Sequence, residues 1–158
     1  MKTQAIAMWR AILSERLAAL ESSKDAARSG TRVDGEHRPS NRGERAAVTS
    51  QGYLAHGLGA RAVELQTHID NLDEMGEATR SEVVIGAFMT ISIDEEPAQH
   101  IVLLPGGDAT QLKIEKRVVT VLSASSPMAS QLRDSLAGDA LEIELGGRFV
   151  EVEILAIE

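Results

Sequence analysis

The segment SGTRVDGEHRPSNRGERA, residues 29–46, decides how the chain must fold. Three glycines, a proline and a run of charged side chains give it nothing with which to build a core, so it reads as an exposed turn. On both sides of it the apolar residues fall at helical spacing. Ile6, Trp9, Leu13, Leu17 and Leu20 precede it at steps of three and four, and Leu54, Leu58, Ala62, Leu65, Ile69, Leu72 and Met75 follow it in the same way. Each stripe is narrow, which suits a coiled-coil seam better than the broad face of a globular core helix. Two such helices joined by a polar turn make an antiparallel hairpin with residues 29–45 as its tip.

The two helices differ in quality. One running from Lys2 to Arg28 would be roughly 40 Å long at 1.5 Å per residue. In the second, Gly43, Gly52, Gly57 and Gly59 each cost about 1 kcal/mol relative to alanine, so its distal half should be the looser one. Ser40 or Asn41 is the candidate cap, and Glu44 then falls in the first turn, where its charge meets the positive end of the helix dipole.

After Met75 and Gly76 the period changes. Residues 83–93, 100–104 and 117–122 read as strands, with Pro97 and Pro105-Gly106-Gly107-Asp108 supplying turns. Ser125-Ser126-Pro127 followed by Met128, Leu132 and Leu136 predicts a short helix stopped at Gly138-Asp139. Strands 140–145 and 149–157 then alternate strictly around a Gly146-Gly147 turn. Five strands and one short helix predict an α+β fold, with a hairpin domain over residues 1–76 and a sheet domain over residues 80–158.

Composition narrows the function classes. With 43% hydrophobic and 25% charged residues the chain has the profile of an ordinary soluble protein. Only 3% are aromatic, so the core must be aliphatic and a deep aromatic pocket is not expected. The absence of cysteine excludes disulfides and Cys-based zinc sites and suits the cytoplasm. The N-terminal residues lack the pattern of a signal peptide, and no apolar run is long enough to span a bilayer. The net charge of −8 arises after residue 76: residues 1–76 hold ten basic and ten acidic side chains, residues 77–158 six and fourteen. Such an acidic half is a poor nucleic-acid surface. Between Lys24 and Arg45 the balance is positive, six basic against four acidic.

The segment VTVLSASSPMASQL (residues 119–132), the Gly138-Asp139 turn, the Gly-Gly hairpin and the final VEILAI strand together resemble the bacterial GreA/GreB transcript-cleavage factor family. The resemblance covers nearly the whole chain. It departs at Asp134 and Ser135, where the family often has glycine and lysine. It implies an FKBP-like C-terminal domain behind an antiparallel coiled-coil hairpin. RNA polymerase is the implied partner: the hairpin enters its secondary channel and the C-terminal domain docks at the rim. Nascent RNA and DNA would be met only inside the elongation complex, with no membrane involved. The chain would then be a cytoplasmic accessory factor rather than an enzyme, because cleavage of backtracked RNA uses the polymerase's own active site.

The family's tip pattern Asp-x-x-Glu-Asn-Ala falls on Asn41 to Ala46. Glu44 and Ala46 match, but Asn41 stands where the family has aspartate, a neutral group that is a poorer Mg²⁺ ligand and no base. Asp34 and Glu36 could supply the missing carboxylate. Glu44, Asp34 and Glu36 are therefore the candidate catalytic and metal-binding acids, sharing Mg²⁺ with the polymerase, and no tightly bound cofactor is implied. Carboxylates are hard oxygen ligands for Mg²⁺, and the metal activates water and stabilises developing charge. Arg38, Arg42 and Arg45 are candidates for steering the tip, and Ser126 and Pro127 for docking at the rim.

Plainer readings stand beside each of these. Glu44 could only cap its helix, Asp34, Glu36 and His37 could be solvated loop charges, and His56 and His68 fit packing or rim positions. Three functions stay open: a factor that stimulates cleavage, a non-cleaving Gre-like or Rnk-like regulator, which Asn41 favours, and a coiled-coil structural adaptor. Prolyl isomerase activity rests on fold analogy alone, and Trp9, Tyr53, Phe88 and Phe149 are too few to line its pocket.

Overall fold

The computed structural model describes residues 1–29, 42–76 and 78–158. Helix α1 (Lys2–Ser29) and helix α2 (Arg42–Met75) are followed by strands β1 (Phe88–Ile93), β2 (Gln99–Leu103), β3 (Thr110–Ile114) and β4 (Arg117–Leu122). Helix α3 (Pro127–Gln131) and strands β5 (Ala140–Leu145) and β6 (Arg148–Ile157) complete the order. Contacts divide the chain into two compact units, residues 12–69, and residues 1–11 with 70–158.

In the first unit α1 and α2 run antiparallel. Arg16, Ala19, Leu20 and Ser23 line one side of a groove and Arg61 and Leu65 the other. Further along, the Lys24 side chain lies beside Gly59. Leu13, Ala27, Ala55, Ala62 and Ile69 are buried, and Leu17, Leu20, Leu58 and Leu65 are half-buried. Leu54 departs from the expected seam: it is 53% exposed, and its neighbour Ala55 is buried instead. One residue along a helix turns the side chain by roughly 100°, so a seam made of alanines at this end moves Leu54 out to solvent.

In the second unit the start of α1 and the end of α2 belong with the sheet. The Trp9 indole N–H donates to the Pro105 carbonyl at 2.9 Å, and Trp9 is fully buried. Lys2 donates to the Ala78 carbonyl, and Arg10 pairs with Asp73 at 2.8 Å. The Arg10–Asp73 pair is about half exposed and contributes little. The Trp9 anchor explains why residues 1–11 and 70–76 group with the sheet, although the spacing had put the division between residues 76 and 80.

The sheet has six strands in the order β3-β4-β2-β1-β6-β5. Every neighbouring pair is antiparallel except β2 and β4, which are parallel. The strand that sequence reading lacked is β3. Its Thr110, Leu112 and Ile114 alternate correctly, with Leu112 and Ile114 buried, but five residues are too short an alternation to stand out. Strand β1 starts later than expected, because Gly86 at φ +87° breaks the extended run that begins at Val83. Met89, Ile91, Ile101, Leu103, Ile143, Val150, Val152 and Ile154 form an aliphatic core with Ala129 and Leu132.

Gly107 sets the loop between β2 and β3. A Cβ placed there would lie 2.2 Å from the Leu122 carbonyl carbon and 2.4 Å from the Ser123 nitrogen. The loop backbone therefore lies directly against the end of β4, where the chain leaves for α3.

Candidate functional site

The start of α3 is built by local polar chemistry. Ser126 has extended backbone, and its hydroxyl accepts from the Ala129 N–H at 3.2 Å, the geometry of an N-cap. Pro127 occupies the first helical position, where no N–H is missed. Ahead of it, the Ser126 N–H donates to the Ser123 carbonyl at 3.0 Å, and the Ser123 and Ser125 hydroxyls lie 2.8 Å apart. Ser126 is half-buried and Pro127 exposed, so the turn presents proline while the serine holds the helix.

Gln131 fixes this short helix to the sheet. Its side-chain amide donates to the Pro127 and Glu144 carbonyls at 3.0 and 2.9 Å, and its carbonyl accepts from the Glu144 N–H at 2.8 Å. Helix α3 ends sooner than the apolar spacing implied. Asp134 takes φ +63°, Leu132 is buried, and Leu136 lies beyond the helix at 51% exposure. Asp134 thus adopts the left-handed backbone that glycine takes most easily. No sequence signal singled out Gln131, and Gly107 stood out only as part of a turn, since the roles of both arise from what the fold brings beside them.

At the other candidate site, Arg42, Glu44 and Arg45 lie in the first turn of α2 and are exposed. Glu44 is the acidic residue of that turn, in the favourable place for the helix dipole. Asp34, Glu36, His37, Arg38, Ser40 and Asn41 lie outside the described residues. Among the described residues no three His, Asp or Glu side chains gather as a metal site. His56 is exposed and His68 half-buried.

Below α3 lies a cleft of about 490 Å³ lined by Val83, Val84, Ile85, Leu103, Ala124 and Ala129, with Arg80 and Arg133 on its walls. None of the four aromatic residues reaches it. Tyr53 and Phe149 are 76% and 71% exposed, and Phe88 stacks on His100 with ring centres 6.0 Å apart.

Fold and site together define an α+β protein in which a long helical hairpin precedes a mostly antiparallel sheet carrying a serine-capped Ser-Pro helix. No family model and no curated protein matches the chain. Among solved structures it is similar to the GreA factor homolog 1 (Gfh1) protein of Thermus thermophilus, at 16% identity and a TM-score of 0.37, covering 91% of this chain and 93% of that one. A structure of the transcription factor Gfh1 is similar at 17% identity and a TM-score of 0.39, covering 98% of this chain and 91% of that one. Thermus aquaticus Gfh1 is similar at 16% identity and a TM-score of 0.37, covering 91% of this chain and 92% of that one. Among the described residues no helix is long and apolar enough to cross a membrane.

Proposed function

We propose that this chain is a Gre-like transcription factor of the bacterial cytoplasm that binds RNA polymerase and regulates elongation with little or no stimulation of RNA cleavage. Its hairpin tip enters the secondary channel while the sheet unit docks at the rim. The observation that carries the reading is the Ser126-Pro127 helix start. The motif that resembles the Gre family occurs here as a capped, surface-presenting turn locked to the sheet through Gln131. Two weak docking surfaces in one chain raise each other's effective concentration, so hairpin and sheet unit bind more tightly together than apart.

The chain acts as an accessory factor at the polymerase's own active site. Exposed Glu44 is an oxygen donor of the kind Mg²⁺ takes, and Asp34 and Glu36 are the further acids of the tip. Mg²⁺ shared with the polymerase would supply water activation and charge stabilisation. Asn41 offers neither charge nor a base where the family has aspartate, which favours the non-cleaving form of the reading. Arg42 and Arg45 add positive charge beside Glu44 and steer the tip toward acidic walls or phosphates.

The test is RNA cleavage in stalled, backtracked elongation complexes. The native chain should cleave weakly or not at all, Asn41→Asp should raise cleavage, and adding Glu44→Gln to Asn41→Asp should remove the gain. Strong native cleavage that survives loss of Asp34, Glu36 and Glu44 together would take the tip acids out of the mechanism.

A further inference from the structure

We propose that the cleft beneath α3 binds a small carboxylic acid with an apolar tail, the tail lying on Val84, Ile85 and Ala124 and the carboxylate on the guanidinium groups of Arg80 and Arg133. This site is separate from the polymerase reading and does not depend on it. The size of the cleft, about 490 Å³, falls within the range of small-ligand sites. Six of its eight lining residues are aliphatic, and the two polar ones are both arginines, so the lining carries positive charge and no carboxylate. Such walls complement a ligand with one apolar body and one anionic end.

The second observation is an unused donor. Arg80 Nε is buried and has no hydrogen-bond partner among the described residues. Buried donors are normally paired, so Arg80 keeps hydrogen-bonding capacity unspent beside the cleft, and guanidinium groups give carboxylates charge-assisted hydrogen bonds. The charge of Arg80 is also felt at Lys2. Lys2 is held below the ordinary lysine range by burial first and by the charge of Arg80 second, with Glu158 opposing.

A free small molecule suits the cleft better than a protein segment. Among the lining residues only Ile85 is a large apolar side chain well exposed to solvent, at 48%. That is far short of the roughly 800 Å² per partner that a stable protein interface covers. The apolar surface open to a ligand is that of Val84, Ile85 and Ala124, since Val83, Leu103 and Ala129 are buried behind them.

Octanoate is the probe, with 1-octanol as the uncharged analogue of the same chain length. Titrated into the ¹⁵N-labelled full chain, octanoate should shift the backbone amides of Val83, Val84, Ile85 and Ala124 saturably. Octanol should bind at least tenfold more weakly. Arg133→Gln, at an exposed position that leaves the core untouched, should weaken octanoate by about tenfold and leave octanol unchanged, as loss of one charge-assisted hydrogen bond requires. Arg80→Gln should do the same. Equal affinity for octanoate and octanol, shifts centred elsewhere, no saturable shift, or an unaltered octanoate affinity in Arg133→Gln would each overturn the proposal.

Discussion

Replacing Gly107 by alanine should destabilise the sheet unit more than any other glycine-to-alanine change in the described chain, and the reason is distance rather than torsion. Gly107 is not among the glycines with positive φ, so alanine could adopt its backbone angles. The obstacle is the Leu122–Ser123 peptide, whose atoms lie 2.2, 2.4 and 2.5 Å from the new Cβ. Carbon atoms in comfortable contact are about 3.5 Å or more apart, so the two backbone segments must separate by roughly 1.3 Å. That separation breaks or stretches the two bonds between the segments: Leu104 N–H to Leu122 O at 2.9 Å and Ala109 N–H to Val121 O at 2.9 Å. At about 1 kcal/mol for each bond, with further cost for groups left unpaired, the loss is about 3 to 4 kcal/mol. For a chain of this size the melting temperature should fall by on the order of 10 °C. Urea unfolding followed by circular dichroism measures it. Gly57→Ala is the control: nothing lies within 4 Å of its Cβ, and in the middle of α2 it should stabilise by about 1 kcal/mol. A Gly107→Ala protein within about 0.5 kcal/mol of the native one would refute the close-approach reasoning, because a change of that size is ordinary for a surface site.

Three further outcomes follow from single residues. Asp134→Gly should stabilise by a few tenths to about 1 kcal/mol, since relief of the left-handed backbone at φ +63° outweighs the extra chain entropy of glycine; unfolding at lower urea than the native chain would contradict this. Ser126→Ala should cost about 1 kcal/mol through loss of the cap to Ala129, measured by chemical unfolding, while Ser126→Asp should retain most of the stability. Lys2 has a folded-state pKa below its unfolded value, so the unfolded chain binds more protons in between, and stability should rise as pH climbs through that window toward 10.5. In Lys2→Met that part of the rise should be absent from unfolding curves compared between about pH 8 and pH 11; identical slopes in the two proteins would rule out the assigned burial of the ammonium.

Long periodic elements were legible in the sequence because their signal accumulates over many turns. Helix α1 was expected from Lys2 to Arg28 and spans Lys2–Ser29, and the Gly146-Gly147 hairpin formed between β5 and β6 as its alternation required. Short elements carried too little signal. The five residues of β3 and the early end of α3 depend on partners that only the assembled sheet supplies. A single-residue rotation at Leu54 was equally invisible, because alanine and leucine both fit an apolar stripe, and the approach of the helices selected Ala55. At the candidate site the capped Ser126-Pro127 start was readable from residue types alone. The clamp by Gln131 joins residues 131 and 144, and the cleft of Arg80 and Arg133 joins residues 80 and 133, so no local pattern could reveal either.

The central claim is most directly tested by competition for core RNA polymerase. The full chain, fluorescently labelled, should bind bacterial core polymerase saturably, and an authentic GreA protein should displace it. Ser126→Ala with Pro127→Ala should weaken that binding by roughly tenfold while the domain stays folded, as loss of one of two linked docking surfaces requires. Saturable binding that GreA displaces is the predicted result; no binding to core polymerase, or binding that GreA leaves untouched, would contradict it.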